Sequence, residues 1–157
     1  MTGLEVRRAA RGDAPLIAPL FDAYRGFYGK PPDLALAERF LAERLERDES
    51  VVFVGTARRG CAAVAAGFTQ LYPVFSSTRC RPAWILNDLY VAPEFRRTGL
   101  GRRLVEAACA HAAETGAAAV ELMTAHGNRE AQALYEALGF GLDREFRHYV
   151  RELAAAP

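Results

Sequence analysis

The spacing of apolar positions divides the chain into short strand-like runs and amphipathic helical ones. LEVRRA, near the N-terminus, reads as a short strand, and Asp13 then stands where a helix cap belongs, ahead of Leu16, Ile17, Leu20, Phe21 and Tyr24 at helical spacing. Gly26, Gly29, Pro31 and Pro32 end that helix. Asp33 offers a second cap before a stripe of Leu34, Phe40, Leu41 and Leu45, whose other face carries Glu38, Glu43 and Arg44. VVFVGTA and CAAVAAGFTQLYPVF are β-rich and joined by ARRG, which predicts an antiparallel hairpin, and PAWILNDLYV predicts a further strand. From Leu100 the period turns helical, with Leu104, Ala108 and His111 on one side and Val105 and Ala112 beside them, as far as Gly116. AAAVELMT then reads as a strand, Asn128 to Leu138 as a helix stopped by Gly139, and FGLDREFRHYVREL as two short strands.

A strand, helix, strand unit from Trp84 through Thr124 requires one parallel pair inside an otherwise mostly antiparallel sheet, hence an α/β (α+β) domain. Its ligand edge lies at the carboxyl end of the strand. No internal repeat or composition break divides residues 1–157, so they form one domain, with 154–157 expected to be a flexible tail. At 51% hydrophobic and 25% charged, the composition is that of a folded domain and not of a disordered chain. The net charge of +1 argues against nucleic acid bound through overall charge, while leaving room for a local basic pocket. No apolar run approaches transmembrane length, and MTGLEVRRAARGD turns charged too early for a secretory signal. The expectation is a cytoplasmic protein with no membrane partner. Cys61, Cys80 and Cys109 are too far apart for a structural zinc site and read as free thiols, with no metal expected.

The chemistry concentrates in EFRRTGLGRRL, Glu94 to Leu104. Arg96, Arg97, Arg102 and Arg103 crowd a helix N-terminus, where the helix dipole disfavours positive charge unless an anion sits among them. Gly99 and Gly101 open the turn so that several main-chain N–H groups face one way, the pattern of a phosphate cradle. Glycine turns before helices are common, so the turn alone also fits a purely structural role. Neither the P-loop pattern nor the dinucleotide fingerprint is satisfied, because Arg102, Arg103 and Leu104 follow the glycines.

Two segments carry a family resemblance. Arg96-Arg97-Thr98-Gly99-Leu100-Gly101 matches the R/Q-x-x-G-x-G/A motif of the GNAT superfamily of N-acetyltransferases. NREAQALYEALGF, residues 128–140, is similar to the family's later N-x-x-A-x-x-L-Y-x-x-x-G-F motif, with Asn128, Ala131, Leu134, Tyr135, Gly139 and Phe140 in place. The resemblance implies the GNAT fold: a mixed, mostly antiparallel sheet of about six or seven strands flanked by about four helices, with the parallel fourth and fifth strands splayed. It also implies acetyl-CoA as co-substrate and direct transfer of the acetyl group to a primary amine of a small molecule or peptide.

By that resemblance, main-chain N–H groups from Arg97 through Thr98, Gly99 and Leu100 to Gly101 hold the diphosphate of coenzyme A, and Arg96 and Arg102 add side-chain contacts. Arg103 is left to solvent. Leu89, Tyr90 and Val91 supply the strand along which the pantetheine arm lies, and the Leu89 N–H polarises the acetyl carbonyl. Tyr135 donates a proton or a hydrogen bond to the departing thiolate, and Asn128 caps its helix while contacting the cofactor. An alkyl amine with a pKa near ~10.4 must lose a proton first. Asp88 is the nearest carboxylate and Asn87 an orienting group, on opposite faces unless a bulge intervenes. Glu121 and His126 compete for the proton, whereas His111, His148 and Cys109 read as structural. The acceptor end draws on Tyr24, Phe27 and Tyr28, with Gln70, Tyr72 and Trp84 from the strands, an aromatic wall suited to a cation and equally to ordinary packing. A noncatalytic acyl-CoA sensor, an enzyme using another acyl-CoA or acceptor, and a homodimer stay open.

Overall fold

The computed structural model describes residues 3–154. Of the expected tail, 155–157 lie outside the described residues. The elements run β1 (Glu5–Arg8), α1 (Ala14–Phe27), α2 (Leu34–Glu46), β2 (Val51–Arg59), β3 (Ala62–Ser76), β4 (Arg81–Val91), α3 (Leu100–Glu114), β5 (Val120–Glu121) and α4 (Arg129–Ala137). The strands form one sheet in chain order, antiparallel throughout except for the parallel pair β4–β5. The α/β class is as expected, and among the described residues the sheet has five strands, not six or seven.

The difference has two sources. β5 is expected over AAAVELMT but is limited to Val120 and Glu121, which pair with Trp84 and Ile85. Two residues on, β4 carries a bulge: Leu71 pairs with Leu86 and Gln70 with Asp88, leaving Asn87 unpaired. The bulge bends β4 away, so β5 has nothing further to bond. The expected strands in FGLDREFRHYVREL do not form, because no neighbouring strand offers them a ladder.

Helices α1 and α2 cover one face of the sheet, where Ile17, Ala18, Phe21, Ala37 and Leu41 pack with Val52, Val54, Ala66 and Phe68. Helix α3 lies on the other face, and two strand glycines sit in tight quarters there, Gly55 beneath Leu100 of α3 and Gly67 against the main chain of β4. A Cβ on Gly55 would meet Leu100 Cδ1 at 2.6 Å, and one on Gly67 would meet the Tyr90 carbonyl oxygen at 2.8 Å. The Leu100 side chain can yield, but the Tyr90 main chain cannot. Gly67→Ala is therefore expected to cost about 1–3 kcal/mol of stability, read as a lower denaturant midpoint, while Gly12→Ala, in open space, stays within about 0.5 kcal/mol.

Asp33 caps α2, its side chain accepting from the Leu36 N–H at 2.9 Å, and Asn128 caps α4 by accepting from Ala131 at 3.3 Å. Asp13 does not cap α1 with its side chain. Its carboxylate accepts from the Ala10 N–H at 2.7 Å and from Arg7 at 2.6 and 2.9 Å, which closes the preceding turn instead. That pairing holds the Asp13 carboxyl below the usual carboxylate range.

Candidate active site

The split between β4 and β5 creates the site. The Ala92 N–H donates to Ala66 on β3, so by the two-residue period of a strand Asp88 and Tyr90 also face β3, and Leu89 and Val91 turn their main-chain groups to the open edge. The Val91 carbonyl there accepts from Arg96 Nε at 3.0 Å.

Past β4 the chain makes a single turn of 3-10 helix, Pro93–Phe95, and enters α3 through two left-handed residues, Arg97 (φ 62) and Gly99 (φ 83). Left-handed geometry costs an arginine roughly 1–2 kcal/mol. Here it helps aim consecutive N–H groups into one concavity. Among the described residues, none of the main-chain N–H groups from Arg97 to Arg102 has a hydrogen-bond partner, whereas Arg103 donates to Gly99 at 3.2 Å and resumes the helical ladder. The Thr98 hydroxyl donates to the Phe95 carbonyl at 2.6 Å and closes the turn from behind. Leu100 contributes only its N–H, since its side chain is buried against Gly55 and Gly67. These N–H groups, at the positive end of α3 and beside three exposed guanidiniums, form a site for an anion.

A cleft of about 360 Å³ connects this turn with the open strand edge, lined by Arg96, Arg97, Gly99, Gly101 and Arg102 at one end and by Tyr24, Phe27 and Tyr28 at the other. Leu89, Tyr90, Val91 and Asn128 also line it. A smaller cavity of about 60 Å³ adjoins it, bordered by Tyr24, Tyr28, Asn87, Leu89, Asn128 and Tyr135. Tyr135 is 8% exposed and packs on Phe140 at 5.8 Å between ring centres. Burial, with Tyr28 nearby, pushes its hydroxyl up to about 12, so it keeps its proton near neutral pH.

Asp88 is not on the wall of either cavity. The Asn87 bulge turns its side chain inward, where it is 3% exposed. One carboxylate oxygen accepts from Gln70 Nε2 at 2.7 Å and the other from Asn87 Nδ2 at 3.0 Å. Since Asn87 presents its amino group to the carboxylate, its carbonyl oxygen is left for the cavity. The Tyr24 hydroxyl donates to the Asn87 main-chain carbonyl at 3.2 Å and is also within reach of Asp88. Burial pushes the Asp88 carboxyl up, opposed by the hydrogen bonds from Gln70, Tyr24 and Asn87. Gln70 is fully buried, and its Oε1 has no partner among the described residues.

This architecture agrees with the comparisons. A sequence model of the Acetyltransferase (GNAT) family matches residues 17–140. The chain is 44% identical over 152 residues to an uncharacterized N-acetyltransferase, YhfO, of Bacillus subtilis, spanning 97% of this chain and 99% of the relative. The chain belongs to the GNAT acetyltransferase family. A solved structure described as a probable acetyltransferase superposes on this GNAT enzyme with a TM-score of 0.87 at 38% identity, covering 97% of this chain and 99% of the other. A D-amino-acid N-acetyltransferase, HPA3, of Saccharomyces cerevisiae is 35% identical over 80 residues, about half of each chain.

Several residues singled out from the sequence of this acetyltransferase stand apart from both cavities. Trp84 packs on His111 at 5.0 Å and donates from Nε1 to Thr115 at 2.9 Å. Tyr72 is half-buried with its hydroxyl pushed up by burial and by the Asp88 charge. Arg103 is exposed, and its guanidinium donates to the Leu4 carbonyl at 2.8 Å. Glu121 lies 3.8 Å from Arg79. Burial pushes the Cys109 thiol up and His111 down. Conversely, Met123 and Thr124 border the small cavity without having been anticipated. The rule that ligands meet the carboxyl ends of strands, applied to β5 as well as β4, would have found them. Among the described residues no group of His, Cys, Asp or Glu could hold a metal ion, and no helix is long and apolar enough to cross a membrane.

Proposed function

We propose that this GNAT enzyme transfers the acetyl group of acetyl-CoA directly to a primary amine of a small molecule or peptide. The observation that carries the reading is the row of unpartnered N–H groups from Arg97 to Arg102, which opens onto the same cleft as the free edge of β4. The fit to coenzyme A is chemical: a diphosphate needs several converging donors and positive charge, and a pantetheine amide needs an unpaired strand edge. Acetyl-CoA supplies an activated thioester to this site. Arg96, Arg97 and Arg102 attract its phosphates, Leu89 and Val91 bond its arm, and the Leu89 N–H stabilises the oxygen that gains charge during transfer. Tyr135 donates its proton to the sulfur.

At the acceptor end Tyr24, Tyr28 and Phe27 offer ring faces to an amine, and the Asn87 side-chain carbonyl accepts one of its N–H groups. Asp88 acts as a positioning residue. It fixes the Asn87 amide, and the Tyr24 hydroxyl takes the proton that the amine loses while passing its own to the Asp88 carboxylate.

Consumption of acetyl-CoA across a panel of primary amines tests the assignment. Turnover on at least one acceptor is expected; tight coenzyme A binding with no turnover on any amine would instead indicate a sensor. Turnover only with another acyl-CoA or a hydroxyl acceptor would redirect the reading. Arg96→Ala and Arg102→Ala are each expected to weaken coenzyme A binding about 2- to 5-fold at low salt. The difference should shrink as salt screens the contact. Arg103→Ala, at a side chain committed to Leu4, leaves affinity unchanged.

A further inference from the structure

Gln70 is fully buried, yet its amide is only half used. Nε2 donates to Asp88 Oδ2 at 2.7 Å, while Oε1 has no partner among the described residues. A buried carbonyl oxygen left unpaired costs free energy, so its presence calls for a physical reason. Donation to the carboxylate accounts for Nε2 and gives Oε1 no use.

The surroundings of Asp88 restrict how that group can take up a proton. Its main chain is held in place, since its carbonyl accepts from the fully buried Thr69 hydroxyl at 2.8 Å beside the bulge. Asn87 Nδ2 donates to Oδ1 at 3.0 Å, and this orientation must persist if the Asn87 side-chain carbonyl is to face the cavity. Helix α1 presents Tyr24, whose hydroxyl is within reach of the carboxylate. β3 presents Tyr72, whose hydroxyl feels the Asp88 charge and, with the opposite sign, that of Arg44 on α2. A proton on Oδ2 therefore faces the Gln70 amino group, donor against donor, and Gln70 is the partner free to relieve the conflict.

We propose that Gln70 is a positioning residue with two working orientations: Nε2 donates to Asp88 while that group is a carboxylate, and the amide turns over so that Oε1 accepts from Oδ2–H once Asp88 holds a proton. The inference rests on the proton route proposed above, in which the amine N–H bond breaks, its proton passes to the Tyr24 oxygen, and the Tyr24 hydroxyl proton passes to Asp88. After the product leaves, the proton returns by way of Tyr24, which borders both cavities, and Gln70 turns back. Either orientation leaves one amide atom without a partner, so the turn itself is nearly balanced. The bond to the charged form is the stronger of the two. It opposes the upward push of burial on Asp88 and keeps the group ionised between turnovers.

The test reads the amide directly. In nitrogen–proton correlation spectra of the full chain, the Gln70 Nε2 proton bonded to the carboxylate is expected downfield. It should move upfield as pH falls, with the same midpoint as the Asp88 carboxyl carbon signal. In Asp88→Asn, whose amide stands in for the protonated acid, it should lie upfield at every pH. A Gln70 signal that keeps its carboxylate-bonded position through the Asp88 titration overturns the proposal. No acceptor is needed, so the result is separate from that of the amine panel. Turnover without the amide exchange removes the Gln70 role alone; exchange with no turnover on any amine upholds the two orientations and counts against the acetyl-transfer reading. Gln70→Met, of similar volume, gives a second readout. The acid limb of kcat should rise by about one pH unit, with coenzyme A affinity unchanged. A uniform loss of kcat with the limb in place would reduce Gln70 to packing and overturn the proposal. The wild-type titration decides the matter even if this variant does not fold.

Discussion

Replacing Tyr135 by Phe lowers kcat for acetyl transfer about 100-fold or more, the usual worth of a positioned acid, and leaves coenzyme A affinity close to wild type. The expectation follows from where the hydroxyl sits. The ring is buried among Phe140 and the α4 side chains and survives the substitution, while the lost oxygen belongs to the small cavity next to Leu89 and Asn128. Because burial pushes Tyr135 to about 12, the wild-type enzyme shows no loss of this acid across neutral pH. Steady-state kinetics with a displacement measurement of coenzyme A binding check both halves. A variant with unchanged kcat would remove Tyr135 from the chemistry, and one with weakened binding alone would reduce it to packing.

Asp88→Asn is expected to lower kcat by about 100-fold at neutral pH without loss of stability. Asn retains the shape, and Gln70 can flip to present its Oε1 to the new amide; one buried Gln70 atom lacks a partner before and after, Oε1 in the wild type and Nε2 in the variant, so the cluster changes little. What disappears is the negative charge behind Asn87 and Tyr24. Burial raises the folded-state pKa of Asp88 above its unfolded value near ~3.9, which fixes two signs. Activity in the wild type falls as pH drops through that raised value, so its acid limb lies above the ordinary carboxylate range and vanishes in the variant. The stability that Asp88 contributes is fully present below the unfolded pKa and declines as pH rises through the folded one. Asp88→Asn removes that decline. A pH–rate profile beside denaturant melts at several pH values checks this. An unchanged acid limb in the variant would assign the proton to another group.

The periodicity of the chain was sufficient for the hairpin and for all four helices, since each buries one face and nothing overrides it. The Arg97–Gly101 turn was legible for a related reason, because glycines before a helix determine where main-chain donors point. Asn87 and Asp88 were not resolvable, because a two-residue period assigns them opposite faces and only the bulge reveals which is outside. The bulge is a property of the pairing with β3, invisible from β4 alone. The same event shortened β5. Likewise the Tyr24–Asn87 contact joins residues 63 apart in sequence, and no local pattern announces it. The C-terminal segment has β-forming residues yet no partner strand in its own chain, so propensity without a ladder misled there.

A crystal structure with acetyl-CoA bound addresses the central claim most directly. The diphosphate should lie within hydrogen-bond distance of the N–H groups between Arg97 and Gly101, with the sulfur beside the Tyr135 hydroxyl. A complex in which the diphosphate docks elsewhere, while this turn faces no anion, would contradict the account.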